Sequence, residues 1–207
     1  MSERVEQLYV VQRKDSTRAG AVLADAFHED PLWRAIFGED STRALRVAAF
    51  ETPIVYALKY GEVWATSAAL EGIIAWLPGL YANMTIWRML RSGAIFTSIP
   101  MGLKFGRKLE AIFRLLERDR MEHMKSTPFI YLEVLGVAPV SQGQGLGGRL
   151  LRALIEKSDQ MSLPIYLETE TERNIGMYAR FGFRVLTEIT LPVLNLPMWE
   201  MVREPKV

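Results

Sequence analysis

Three observations predict a mixed α/β fold for this chain of 207 residues: short runs rich in branched and aromatic residues, helical stretches with one apolar face between them, and Gly, Pro or Asp at most junctions. A hydrophobic content of 49% is enough to bury a substantial core, and the length suits one domain with an elaborated lobe.

Residues 5–12 are expected to form the first strand. Asp15 and Ser16 offer an N-cap to a helix with Val22, Leu23, Ala26 and Phe27 on one face, closed by Pro31. "LWRAIF" reads as a short extra turn. "STRALRVAAFETPIVYALKYG" reads as a second helix, with Pro53 marking a kink or break. "EVWATSA" and "EGIIAWLPG" predict a hairpin. Between 80 and 128 a helical lobe is expected as two or three helices interrupted at Gly93, Pro100, Gly102 and Gly106, with Leu109, Ile112, Phe113 and Leu116 sharing a face. The strand "FIYLEVLGV", a helix from about 144 to 161, the strand "PIYLETE", a helix "ERNIGMYARF" ending at Gly182, and the strands "FRVLTEITL" and "LNLPMWEMVRE" complete the chain.

Lys and Arg total 25 against 24 Asp and Glu, a net charge of +1, so no overall field draws the protein to nucleic acid or anionic lipid. The basic stretch "LKFGRK" and the run "ERDRMEHMK" read as solvated helix faces. With no cysteine, thiol catalysis and thiolate metal sites are excluded, and His28 and His123 fit no metal-ligand spacing, so no metal is expected. The charged stretch "MSERVEQLYVVQRKD" lacks the apolar run of an export signal, and no segment reaches the roughly 20 apolar residues of a membrane span, so a cytoplasmic protein is expected.

The stretch "GVAPVSQGQGLGGRLL" carries the chemistry. Gly143, Gly145 and Gly148 have the G-x-G-x-x-G spacing of dinucleotide sites, with Glu168 about twenty residues on. That fingerprint requires a tight turn directly after the strand and a large parallel sheet to follow. Here Ala138 to Gln142 intervene, and too little sequence remains for such a sheet. The phosphate loop G-x-x-x-x-G-K-[ST] is absent. Either way, glycines opening a helix leave main-chain N–H groups free to hold an anion.

The same residues, Gln142, Gly143, Gln144, Gly145, Leu146 and Gly147, spell Q-x-x-G-x-G after "LEVLGVAP", and "TERNIGMYARFGF" follows with Asn174, Tyr178 and Gly182-Phe183. Together they resemble the GNAT family of acyl-coenzyme A dependent N-acyltransferases, closely over 129–188. The likeness leans toward the puromycin N-acetyltransferase-like branch through "ADAFHEDPLWRAIF", "VWATSAALEGIIAWLPG" and "LPMWEMVREP". It departs in having Gly176 in "NIGMY", where that branch often has proline, and in the helical lobe.

The resemblance implies a mostly antiparallel sheet of six to seven strands with helices on both faces, a single domain over 1–207, and acetyl-CoA as cofactor. It implies that the pyrophosphate rests on main-chain N–H groups from Gln142 to Gly148, with Asn174 a further contact, and that the pantetheine arm pairs like an added strand with Leu135, Gly136 and Val137. The Val137 N–H is expected to polarise the thioester carbonyl. Tyr178 is the candidate acid for the departing thiolate, against a reading in which Ile175, Tyr178 and Phe181 are an apolar face. Glu133 is the candidate base for the amine, with Glu168, Glu170 and then His123 as alternatives. The implied acceptor is a small-molecule primary amine, acetylated directly in a ternary complex by a monomer or homodimer. Acetylation of a protein, or a silent CoA-binding module, are the alternatives. Trp33, Phe37, Trp76, Trp87, Phe96 and Phe105 could line an acceptor pocket or be core.

Overall fold

The computed structural model describes residues 8–38, 41–191 and 194–206. One seven-stranded sheet has the order β1-β2-β3-β4-β5-β7-β6, with every neighbouring pair antiparallel except β4 with β5. The strands are β1 (Tyr9–Val10), β2 (Glu62–Ala65), β3 (Gly72–Pro78), β4 (Ile130–Val137), β5 (Ile165–Thr169), β6 (Arg184–Leu191) and β7 (Leu196–Arg203). The expected first strand is confined to Tyr9–Val10 among the described residues, its start at 5–7 lying outside them.

Eight helices are described: α1 (Ser16–Ala26), α2 (Pro31–Phe37), α3 (Arg43–Tyr60), α4 (Ile86–Ser92), α5 (Ala94–Ser98), α6 (Gly102–Met124), α7 (Leu146–Met161) and α8 (Glu172–Arg180). Several differ from the pattern read in the sequence. Pro31 does not close α1, which stops at Ala26; it is the first residue of α2, where its missing N–H is harmless and Asp30 caps the helix by accepting from Trp33 N. The buried face of α1 carries Ala19, Gly20, Leu23 and Ala24, while Val22 and Ala26 flank it. Asp15 makes no side-chain cap on α1; its Oδ2 accepts from the Tyr9 hydroxyl and Gln12 N. α3 is continuous through Pro53.

The lobe contains three helices as expected. Gly93 and Gly102 mark breaks with φ of +81° and +67°, whereas Gly106 lies inside α6. Phe105, Ile112 and Leu116 are buried on α6, but Phe113 is half exposed, one position off the apolar stripe.

Strand alternation divides the sheet into two unlike faces. Ile130, Leu132, Ile165, Leu167 and Met201 point to one side and pack with Leu150, Leu151 and Leu154 of α7 and Tyr178 of α8. Tyr131, Tyr166, Glu168, Glu200 and Val202 point to the other, which α6 covers through Arg120, His123 and Met124. Farther along that side, Phe27, Phe50, Trp33, Phe37 and Phe105 form a chain of ring contacts, with centroids 4.5–5.2 Å apart at Phe27–Phe50, Trp33–Phe50 and Phe37–Phe105 and 5.4 Å at Trp33–Phe37. Trp33, Phe37 and Phe105 are therefore core, Trp76 belongs to the opposite face, and Trp87 and Phe96 are exposed on the lobe.

Candidate active site

β4 and β5 pair only at Ile130↔Ile165 and Tyr131↔Tyr166, although both strands continue. The separation begins where β4 carries one surplus residue: Ala75 faces Val134 and Trp76 faces Leu132, so Glu133 opposes nothing on β3. Such a bulge bends its strand and raises the local twist, which carries the end of β4 away from β5.

The bulge also exchanges which main-chain groups face that crevice. Before it, Ile130 N–H donates to Pro164 O on the β5 side. After it, Ala138 N–H donates to Glu71 O beside β3, so by alternation Gly136 also faces β3 while Leu135 and Val137 face the crevice. Of the stretch Leu135, Gly136 and Val137, expected to pair with an extended ligand, Leu135 and Val137 turn their main chain to the crevice and Gly136 lies between them. Its lack of a side chain serves packing: a Cβ would stand 2.6 Å from Leu23 Cδ2 and 3.1 Å from Phe27 Cε2.

At the end of β4, a single 3-10 turn (Pro139–Ser141) leads into the glycine loop, and Gln142 Nε2 donates to Val137 O at 3.1 Å, tying loop to strand. Gly143 and Gly145 both have φ of +79° with open space around them, so backbone angle, not room, requires glycine. Gly145 caps α7 with no side-chain acceptor, which leaves the N–H groups of Leu146, Gly147 and Gly148 at an uncapped helix start. Glycines with outward main-chain donors beside an unpaired strand edge fit an extended ligand with a phosphate-rich end, such as coenzyme A.

Asn174 lies in the first turn of α8. The cap is Thr171, which accepts from Asn174 N, while Asn174 Nδ2 donates to Thr169 Oγ1 at the end of β5. The Tyr178 ring is buried against Phe183, centroids 5.4 Å apart, in the apolar cluster with Ile175 and Phe181. Its hydroxyl makes no hydrogen bond among the described residues and feels Glu170; burial first, then that carboxyl, raise its pKa above the ordinary phenol value.

On the α6 side of the crevice the side chains are polar. Arg120 donates to Glu168 Oε1 at 2.8 Å and to Asn83 Oδ1 at 2.9 Å, and lies 4.4 Å from the centre of the Tyr131 ring. Glu133 Oε2 is covered and has no partner; burial pushes its pKa up to about 8, with Arg120 opposing and Glu168 assisting. Burial also raises Glu168, again opposed by Arg120. Glu200 is fully buried, sits 3.4 Å from His123 Nε2, and is pushed up to about 7, chiefly by burial. The Tyr166 hydroxyl beside it lacks a well-formed hydrogen bond. Glu170 follows β5 and meets Asp30; burial and that carboxyl push Glu170 up to about 9.

Of the residues singled out in the sequence, the fold gathers Leu135, Val137, Gln142 to Gly148, Glu133, Asn174 and Tyr178 around one crevice, together with Glu168 and Glu170. His123 contacts Glu200, and His28 is exposed beside Glu29. Arg120, Glu200 and Asp30 were not anticipated. Arg120 follows Leu116 by four residues, so the apolar stripe of α6, extended one turn, points to it despite the charged run around it.

Two surface depressions lie elsewhere: about 570 Å³ lined by Glu62, Trp64, Trp76 and Lys157 among others, and about 770 Å³ near Tyr9 and Arg149. Neither is bordered by Glu133, Val137 or Tyr178.

The Acetyltransferase (GNAT) family profile matches residues 102–183. An uncharacterised N-acetyltransferase of Schizosaccharomyces pombe is 31% identical, the alignment covering 95% of this chain and 82% of that protein. Among solved structures, a histone acetyltransferase HPA2 and related acetyltransferase from Corynebacterium glutamicum has a TM-score of 0.66 at 20% identity, over 97% of each chain. A putative arylalkylamine N-acetyltransferase 7 of the yellow fever mosquito has a TM-score of 0.68 at 13% identity, over 95% of this chain and 86% of that one. These two share the fold. With the fungal relative aligned along nearly the whole sequence and the signature loop at the mouth of a splayed strand pair, the chain belongs to the GNAT acetyltransferase family.

Proposed function

We propose that this enzyme transfers an acetyl group from acetyl-CoA to a primary amine of a small molecule, directly, within a ternary complex. The observation that carries the reading is the crevice between β4 and β5, into which Leu135 and Val137 turn main-chain groups that β5 does not pair, while Gln142 to Gly148 offer N–H donors at its mouth. Acetyl-CoA supplies an activated acyl group on a thiol leaving group.

The chain's own residues divide the remaining work. Leu135 and Val137 hold the pantetheine arm by main-chain hydrogen bonds, and Asn174, tethered to Thr169, borders it. The Val137 N–H stands ready to polarise the acyl carbonyl without reorganising. Glu133, half-buried at the bulge with a covered and unpartnered Oε2, accepts a proton from the amine; its raised pKa suits a base working near pH 8. Tyr178, protonated at neutral pH and with a free hydroxyl, returns a proton to the thiolate. The absence of cysteine favours direct transfer over an acyl-thiol intermediate.

The lobe of residues 80–128 roofs the polar side of the crevice through α6, which favours a small acceptor over a protein chain. We read the chain as one domain, a cytoplasmic monomer or homodimer, leaning to the puromycin N-acetyltransferase-like branch. The mosquito arylalkylamine enzyme and the bacterial histone acetyltransferase carry opposite acceptor types in their names on one fold, so acceptor class must come from this chain's own residues. The test is thiol release from acetyl-CoA across a panel of amines, together with calorimetric titration of CoA. Absence of both binding and thiol release overturns the assignment.

A further inference from the structure

The net charge of +1 conceals a local segregation. From Gly72 to Leu109 the chain carries no Asp or Glu but five basic residues, Arg88, Arg91, Lys104, Arg107 and Lys108. This stretch contains α4 and α5, and there the structure leaves large apolar side chains in solvent. They are Leu80, Ile86, Trp87, Leu90, Phe96 and Ile99, with Trp87 76% and Phe96 68% exposed. Single exposed apolar residues need no explanation, but six on two adjoining helices and their flanking turns do.

Helix phase and anchoring put these side chains on one outer surface. On α4 the exposed positions include Ile86, Trp87, Leu90 and Arg91, neighbours one turn apart, while Met89 packs inward and Ser92 is buried. On α5, Phe96 is exposed and Ala94 is buried. Both helices are fastened to α3 from the opposite side: the Tyr60 hydroxyl donates to Arg88 O at 3.4 Å, and the Thr52 and Thr97 hydroxyls meet at 3.0 Å. Thr52 and Tyr60 stand about 12 Å apart along α3, so the outward faces of α4 and α5 lie side by side.

Guanidinium groups edge the same surface. Arg13, from the turn before α1, donates to Ser92 O at 3.0 Å, at the junction of α4 and α5. Arg88 donates to Leu80 O at 2.9 Å, and Arg91 is exposed next to Leu90. Apolar tips edged by cations match a bilayer with anionic headgroups: the tips, Trp above all, enter the interface where acyl chains begin, and the cations meet the lipid charges. A second copy docking by this same face would set arginine against arginine, with no carboxylate within 72–109 to receive them. Among the described residues no helix is long and apolar enough to cross a membrane, so the contact is peripheral.

We propose that the outer face of α4 and α5 docks the enzyme on an anionic lipid surface. This does not depend on the acetyl-transfer reading, and its test reads binding alone. Wild type is floated with vesicles of equimolar phosphatidylcholine and phosphatidylserine, and with vesicles of phosphatidylcholine alone, at low and high salt. Uptake by the anionic vesicles should be about tenfold or more the stronger and should fall as salt screens the charges. Trp87→Ser/Phe96→Ser removes two apolar tips, and Arg91→Glu reverses a charge; each should lower uptake by about tenfold or more. All three residues are exposed, so Tm should stay within a degree or two of the wild type. Equal uptake by both kinds of vesicle, or uptake that survives both variants, overturns the proposal. So does the absence of uptake by anionic vesicles, which would leave the face to an acidic protein. Sedimentation velocity without lipid adds one more way to fail: a wild-type dimer that Trp87→Ser/Phe96→Ser dissolves would assign the face to a second copy.

Discussion

The two faces of the sheet around β5 are built on opposite principles. On the α7 side, Ile165 and Leu167 meet Leu150, Leu151 and Leu154, all within about 1% of complete burial and with no polar group to satisfy. On the α6 side, the intervening positions are Tyr166, Glu168 and Glu170, and the same sheet buries carboxylates of Glu133, Glu168 and Glu200 with Arg120 as their main counter-charge. Burying polar groups without full pairing costs stability. One face therefore holds the fold together, and the other spends part of that stability to keep reactive groups at unusual proton affinities.

The largest effect that would break this division is expected from Glu133→Gln. Loss of the proposed general base should lower kcat/KM by about 10²–10⁴-fold. A working base must be ionised, so wild-type activity should rise with pH through about 8 and level off above; the variant should lose that limb. Retention of the limb would remove Glu133 from the role. Stability carries the matching sign. A carboxyl whose folded pKa is raised contributes fully below the ordinary carboxylate range, and the contribution is lost as pH rises through about 8, so the variant should flatten this decline in denaturant titrations.

Leu154→Ala should do the reverse, destabilising the protein by about 2–5 kcal/mol through a cavity against the sheet. Measured below its melting transition, kcat should stay near that of the wild type. A large fall in kcat with little change in Tm would erase the contrast between the faces.

Tyr178 tests the division, since its ring belongs to the apolar cluster while its hydroxyl, without a hydrogen-bond partner among the described residues, is the proposed acid. Tyr178→Phe should keep Tm within a degree or two and slow the chemical step by about 10²-fold, the lower end of general acid catalysis. Unchanged turnover where chemistry limits the rate would make the residue packing alone.

The smallest effect concerns the loop. Gly145→Ala places a Cβ at φ +79° and should cost about 1–2 kcal/mol. CoA affinity should fall with it, read by calorimetry. A stability loss without weaker CoA binding would separate the glycine's structural role from the proposed phosphate grip.

Much of this arrangement was legible in the chain. The hairpin, β4, α7, β5, α8 and the two closing strands lie within a few residues of their expected positions, because each has a clear period and a turn signal at its end. Gln142 to Gly148 was legible because glycine at a helix start has few other reasons to be there. Three features were hidden. The bulge at Glu133 is a matter of register between β3 and β4, and no single strand's sequence records it. Gly136 answers to Leu23 and Phe27, distant in sequence. Arg120 sits among charges that suggest solvent, and only its phase along α6 betrays its burial.

One surplus residue on β4 opens the proposed cofactor slot, and this makes the slot a property of chain counting more than of chemical identity. Side chains along 132–137 can drift through evolution with the gap intact, whereas excision of a single amino acid there would realign the ladder, let β4 zip onto its neighbour and seal the enzyme shut. Apart from Glu133, and from Gly136 with its contact to Leu23, that strand should tolerate replacement better than any change in its length.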